Sequence, residues 1–428
     1  MIDAEPAPEV HFTPDGPTVA TPPETTGRYI VVFAHDADAP GVLATAGVRE
    51  VASIRDLGGE LDAVARTDTM FDRLGMAIVS DPGGLATANA ADVGVLAVVP
   101  ELIHHVRDGA YARGYADGTQ DLATRLASAA PASADGDAAP GARAFRDGDA
   151  ATWGIQATRA DASSYSGAGI KVAVLDTGFD STHPDFAGRA VTTASFIAGE
   201  TSEDGHGHGT HCIGTSCGPL APESGPRYGV AHGAEIFAGK VLSNAGSGGD
   251  SAILAGIDWA ITQGCAIISM SLGADVPNVH EPYTLAGRRA LDQGSLIVAA
   301  AGNNAQRTDL NFGFVGTPAN SPHIAAVAAL NQQLDVAFFS ARTLPDARGG
   351  QVDLAGPGYQ VYSSWPMPQR YRSISGTSMA TPHVAGLAAL WAEATGLRAG
   401  ALWSILTQES HRLLAPSLDV GSGLLVAP

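Results

Sequence analysis

The sequence predicts an α/β protein: a doubly wound, mostly parallel sheet, preceded by a small α+β ferredoxin-like unit. Two observations predict it. Beyond Trp153, nearly all-apolar runs alternate with helical segments, as parallel strands buried on both faces alternate with their crossovers. Ahead of residue 107, short strand and helix patterns follow in the order β-α-β-β-α-β, the order of a ferredoxin-like unit.

Residues 1–27, rich in Pro, Thr and acidic side chains, read as a disordered arm. In the unit 28–106, Tyr29–Phe33 reads as a strand and Pro40–Gly58 as helical. Ala63–Thr67 and Ala77–Ser80 read as short strands, Ala86–Val93 as a helix and Val95–Pro100 as a closing strand. Residues 107–150, dominated by Ala, Gly, Asp and Arg, read as a flexible linker with one short helix near Asp121–Ala129. In the unit 151–428, strands are predicted at Lys171–Leu175, Glu235–Val241, Ala266–Ser271, Ser295–Ala300 and His323–Ala328. Ser251–Gln263 and Tyr283–Gln293 supply crossover helices.

Composition narrows the function. The chain has 428 residues, a net charge of −20 and only two lysines, Lys171 and Lys240. That balance argues against nucleic acid, whose phosphates need clustered Lys and Arg. Three cysteines, Cys212, Cys217 and Cys265, give no disulfide framework. No apolar run reaches the roughly 18 residues of a membrane span, and Met1–Pro6 shows neither the basic nor the apolar region of a signal peptide. The location is left open between export and cytoplasm.

Three segments carry the chemistry: Val172–Gly178 (VAVLDTG), His208–His211 (HGTH) and Gly376–Gly386 (GTSMATPHVAG). Asp176 ends an apolar strand, where open α/β sheets build their sites. A carboxylate there can accept from a histidine Nδ1 and stabilise the imidazolium. His208 opens a helix predicted over His208–Cys217. Ser378 begins another helix, whose free N–H groups and positive dipole end favour an oxyanion. Taken singly, each also reads as a turn or cap residue; the set of three favours a serine nucleophile with its base and orienting acid. Asn303, after the strand ending at Ala300, can aim an amide N–H₂ at a carbonyl oxygen. The cluster His206, His208, His211 invites a metal reading, but its spacing is not HExxH. Cys212 reads as a buried small residue, and His211 as a packing residue.

These motifs resemble the subtilisin-like serine peptidases from about Thr152 to the C-terminus, with HGTHC and GKVL most similar to the proteinase K branch. Residues 28–106 resemble, by pattern, the inhibitor-type propeptide of that family. The resemblance implies that Asp176, His208 and Ser378 form the triad and that Asn303 donates to the oxyanion. It implies two cleft-lining segments, Gly246-Ser247-Gly248 and Ser271-Leu272-Gly273, between which a peptide lies as an added strand. Ala300, Ala301, Gly302 and Gly316 would line an uncharged pocket, with Asn304 at its rim, for an apolar residue before the cut. Asp353, with carbonyls of Pro322 and Ile324, matches a calcium position of proteinase K-like enzymes. No cofactor is implied for the chemistry; structural calcium is. The partners implied are a peptide or protein substrate and the chain's own propeptide as inhibitor, with no membrane and a monomeric state.

The function expected is therefore a serine endopeptidase made as a self-processing zymogen, cut within 107–150. Two other readings stand beside it: a dedicated cytoplasmic processing protease for one partner or leader peptide, and a non-catalytic subtilase-fold binding protein.

Overall fold

The computed structural model describes residues 10–13, 16–19, 22–35, 37–48, 50–57, 61–86, 94–106, 144–347 and 349–428. Within the stretch expected to be disordered, β1 (Val10–Thr13) pairs antiparallel with β2 (Gly16–Val19), and β3 (Thr25–Phe33) begins ahead of residue 28. The expected arm is therefore too long. Thr25 and Thr26 are β-branched and extend the pairing that Tyr29–Phe33 begins.

After β3 the chain forms α1 (Ala39–Thr45), β4 (Ala52–Ser53), β5 (Thr69–Phe71), β6 (Met76–Val79) and β7 (Val95–His105). β3 pairs antiparallel with both β7 and β6, and β6 with β5. β6 thus lies between β3 and β5, the split βαβ arrangement of a ferredoxin-like sheet. The helix expected over Pro40–Gly58 is only α1: the Asp38 carboxylate caps Gly41 N at 3.3 Å, and Gly47, at φ 87°, stops it in a left-handed turn. The strand expected at Ala63–Thr67 is instead a 3₁₀ turn, Leu61–Ala65, and the true strand lies two residues further on at β5. An Asp62–Arg66 pair at 3.2 Å is the one-turn spacing that suits a helical, not an extended, backbone. The helix expected at Ala86–Val93 falls on residues 87–93, outside the described residues, as does Asp121–Ala129.

Beyond residue 144 come α2 (Trp153–Ala157), β8 (Lys171–Asp176), β9 (Val191–Ser195), α3 (His208–Cys217), β10 (Glu235–Lys240), β11 (Ser247–Gly249) and α4 (Asp250–Thr262). They are followed by β12 (Ile267–Met270), α5 (Glu281–Asp292), β13 (Leu296–Ala300), β14 (Ala325–Leu330), β15 (Val352–Pro357), β16 (Val361–Ser364), β17 (Tyr371–Ile374), α6 (Thr377–Thr395), α7 (Ala399–Gln408) and α8 (Ser417–Val420). Seven strands form one parallel sheet in the order β15-β14-β13-β12-β8-β10-β9. The linker expected to run to residue 150 is tied down earlier: Phe145 N donates to Gln332 O at 2.8 Å, and Arg227 N to Ala150 O at 3.0 Å.

Alternation along the strands divides the core. Val172, Val174, Leu296, Val298 and Val327 face α3 and α6; Ala173, Leu175, Ile297, Ala299 and Ala326 face α4 and α5. Both faces are covered, which is why these strands read as unbroken apolar runs. Ile30, Val32, Met76 and Ile78 of the N-terminal sheet join the α4–α5 cluster, while Val31, Phe33, Ala77 and Val79 pack with α1. The N-terminal sheet therefore lies over α4 and α5. Its edge strand β7 pairs antiparallel with β11, so β11 completes that sheet from the larger unit. All three cysteines are free and buried. Among the described residues, no helix is long and apolar enough to cross a membrane.

Candidate active site

Asp176 is the last residue of β8, and its Oδ1 lies 2.8 Å from His208 Nδ1 at the start of α3. Two glycines permit this. A Cβ on Gly209 would stand 2.3 Å from Gly178 O, so the helix could not otherwise reach the end of β8. Gly209 N donates to Thr177 Oγ1 at 2.8 Å. Asp204 caps the same helix: its Oδ2 accepts from Thr210 N at 2.8 Å and its Oδ1 from Gly207 N at 2.7 Å and Thr177 Oγ1 at 2.9 Å. A carboxylate there satisfies free N–H groups and complements the dipole. Asp204 went unnoticed in the sequence; the signal available was an acidic residue shortly before HGTH.

Both members of the pair are buried. Burial opposes protonation of His208, but the charge and hydrogen bond of Asp176 outweigh it and raise its pKa well above the ordinary value. Asp176, His208 and Cys212 converge, yet the set does not suit a metal. Asp176 Oδ1 and His208 Nδ1 are spent on each other at 2.8 Å, and burial pushes the Cys212 thiol up to about 11, so it stays protonated and is not a second nucleophile. The three-histidine cluster also fails to converge. His211 Nε2 turns to Val361 O at 3.0 Å and Arg372 O at 3.2 Å, and burial, then the nearby His208, drops its pKa to about 3.

Ser378 is the second residue of α6, and Pro382 explains its setting. Pro382 has no N–H, so the Ser378 carbonyl, four residues earlier, lacks its helical partner. Ser271 Oγ donates to that carbonyl at 2.8 Å, and Cys212 Sγ lies 3.6 Å from it. The helix start is thereby tied to the end of β12 and to α3. The Ser378 hydroxyl donates to Ser271 O at 3.2 Å rather than to His208, a looseness common in sites without substrate. Asn303 follows β13. Its Oδ1 accepts from Thr377 N and Thr377 Oγ1, both at 2.9 Å, which turns the N–H₂ away from Thr377 and leaves it free to donate.

Leu272, Gly273, Ala300, Ala301, Gly302 and Gly316 line one pocket with Asn303 and Ser378. A Cβ on Gly316 would lie 2.5 Å from Ala274 O, so glycine keeps the pocket open. The expectation of an uncharged pocket needs correction. Asp275 also lines it, with its Oδ1 3.0 Å from Asn304 Nδ2 at the exposed mouth. Asp275 lies only two residues past Gly273, but the sequence does not show that the chain turns back there.

The cleft segments embrace β7. His105 pairs with Ser247 and His104 with Gly248. On the other side His105 N donates to Gly273 O at 3.1 Å, and Gly273 N to His105 O at 3.4 Å; Val106 N donates to Gly246 O at 2.7 Å. Ser247–Gly249 is thus a strand. Asp353 lies apart on β15. Its carboxylate accepts from Ala326 N at 2.8 Å, and burial raises its pKa to about 7. Pro322 and Ile324 sit just ahead of β14.

Residues 167–410 match the model of the subtilase family, Peptidase S8. Subtilisin DY of Bacillus licheniformis is 40% identical over 237 residues, 55% of this chain and 81% of its own. Thermitase of Thermoactinomyces vulgaris is 42% identical over 227 residues, 53% of this chain and 76% of its own. Subtilisin Savinase of Lederbergia lenta is 42% identical over 242 residues, 56% of this chain and 82% of its own.

Proposed function

This chain belongs to the subtilase family of serine endopeptidases, and on that premise we propose that Ser378 is its nucleophile, His208 its general base and Asp176 the group that orients His208. The observation that carries this is the buried 2.8 Å Asp176–His208 pair together with Ser378 in the first turn of α6. His208 takes the hydroxyl proton as Ser378 attacks the peptide carbonyl, and returns it to the leaving amine. The Ser378 N–H, with no helical acceptor, and the Asn303 N–H₂ receive the oxyanion. Losing such a side-chain donor costs about 10²–10³ in kcat, a figure that comes from a subtilisin, a relative of this chain.

The pocket beside Ser378 takes the residue before the cut. Its body is apolar, so Leu, Phe, Tyr or Met fills it, and Asp275 at the mouth gives a long basic side chain a secondary welcome. The unit 28–106 acts as an intramolecular inhibitor, because the end of β7 occupies the strand position between Gly246–Gly248 and Gly273 that a substrate needs. Release follows a cut within 107–150. The chemistry requires no cofactor. For structural calcium the donor set is thin but suitable: Asp353 is a buried carboxylate without a basic partner among the described residues, and carbonyls of Pro322 and Ile324 would complete its ligands.

A fluorophosphonate probe tests the central assignment. It should label the wild-type protein after processing and leave Ser378→Ala unlabelled and whole at about 43.4 kDa, while peptide profiling ranks apolar residues first before the cut. Equal labelling of both proteins sinks the nucleophile.

A further inference from the structure

The side chain of His104, from β7, is wholly buried in a polar recess of the larger unit. His104 Nε2 lies 2.7 Å from Asp250 Oδ1. Tyr283 OH donates to the same oxygen at 2.6 Å. The other oxygen takes His280 Nε2 at 3.1 Å and the Leu102 N–H at 2.7 Å. The Asp250 carboxylate is itself 0% exposed and, despite burial, is held well below the usual carboxylate range by His104 and His280. It therefore accepts four hydrogen bonds. Two come from its own unit, from His280 just ahead of α5 and from Tyr283 on it, and two come from β7.

The register places this recess relative to the cut. His105 lies opposite Gly273. In an antiparallel pairing, a residue two positions later lies opposite Ser271, whose carbonyl accepts the Ser378 hydroxyl. A peptide in this register is therefore cut after the position opposite Ser271, and the His104 position stands three residues before that one.

We propose that Asp250, Tyr283 and His280 form a substrate subsite that selects a hydrogen-bond-donating side chain, histidine best, three residues ahead of the residue preceding the scissile bond. The inference rests on the reading of the Gly246–Gly248 and Gly273 segments as the substrate cleft. When β7 leaves, the buried carboxylate loses two of its four donors. A peptide backbone N–H can replace Leu102, but only a donor side chain can replace His104. An apolar side chain would cover the carboxylate from water and leave it short of partners, the costly case for a buried charge. Histidine fits because Tyr283 stands edge-on to the ring at 5.5 Å between centroids.

Two measurements test this. In full-length Ser378→Ala protein, which holds β7 uncut, hydrogen–deuterium exchange is followed at the amides of Ser247–Gly249. His104→Leu should speed it about tenfold or more, and His104→Gln, which keeps a donor, should speed it less. Pairing His104→Leu with Asp250→Leu should restore slow exchange. Unchanged exchange in β8 and β12 serves as the folding control. Exchange in His104→Leu as slow as with histidine overturns the proposal. In the wild-type protein, acetylated hexapeptide coumarin amides differing only at the third residue are then compared. Histidine should exceed Leu and Phe by about tenfold or more in kcat/KM, and an apolar-first ranking overturns the subsite. If no peptide is turned over while the exchange results hold, the recess stands and the assignment of Ser378 falls.

Discussion

The two large sheets of this molecule both bury apolar strands, yet they depend on their surroundings in opposite ways. The seven-stranded sheet has helices of its own unit on both faces, α3 and α6 on one and α4 and α5 on the other. The N-terminal sheet covers one face with α1 and the other with α4 and α5 of its neighbour. It also takes β11 from that neighbour as an edge strand. One sheet is self-contained and holds Asp176, the proposed orienting acid, at a strand end. The other is completed only by docking, with β7 set between Ser247–Gly249 and Gly273. Strength of packing and autonomy are thus separate properties: Val31, Val32 and Met76 are as buried as Val172 and Ile297, but part of that burial vanishes when the units separate.

The largest effect expected is on the self-contained sheet. Asp176→Asn leaves both sheets intact and should lower kcat by about 10⁴, by removing the charge that orients and stabilises His208. The pH profile supplies the sign. In the wild type His208 is protonated, and inactive as a base, below its raised pKa, so the acid limb should have its midpoint above 6.5, the ordinary histidine value. In Asp176→Asn that midpoint should move down. A limb that stays in place would show that another group controls it.

A smaller effect is expected at the seam. Glu101 Oε1 accepts from Ser251 N at 2.8 Å, and its Oε2 accepts from Thr26 Oγ1 at 2.6 Å. Glu101→Ala should weaken docking by about 1–3 kcal/mol by leaving the buried Ser251 N–H unpaired. Activity should then emerge sooner, while thermal unfolding of the processed enzyme stays as in the wild type. A matching loss of stability in the processed enzyme would mean the two units are not separable.

The smallest effect lies at β15, remote from both. The Asp353 carboxyl is raised to about 7 in the folded state from an ordinary 3.8. Its contribution to stability is therefore full below the unfolded pKa and is lost as pH rises through about 7. A calcium ion needs the ionised form, so added calcium should raise Tm by about a few degrees at pH 8 and by less at pH 5. Equal shifts at both pH values, or none with wild type and the same with Asp353→Asn, would remove calcium from this site.

What could be read in advance follows from the same contrast. The strands β8, β10, β12 and β13 were legible to within a residue or two, because burial on both faces leaves an unbroken apolar run. Asp176, His208 and Ser378 stood out as candidates because each sits where such an element begins or ends. The segment from Pro40 to Thr67 was not. Its helix stops at a left-handed Gly47, and its 3₁₀ turn around Val64 packs on the neighbouring unit, so local pattern and tertiary demand diverge. Asp275 escaped because its place in the pocket depends on a chain reversal. Asp250 escaped because nothing in GGDSAIL says that a histidine from a distant strand will lie against it. The role of Pro382 became clear only once Ser271 was seen to serve the carbonyl that proline leaves bare.

When β7 departs, β11 becomes a naked edge. Its N–H and C=O groups, from Ser247 to Gly249, then invite any extended chain to pair with them, which is the ordinary route to aggregation. Three residues, two of them glycine, are too short and too poor in side-chain surface to template a lasting ladder. The edge can hold a passing strand only as long as side-chain recesses such as the one at Asp250 help to hold it. On the function proposed above, brevity of the strand would keep the uncovered protein from polymerising along this edge and would let cleaved fragments leave.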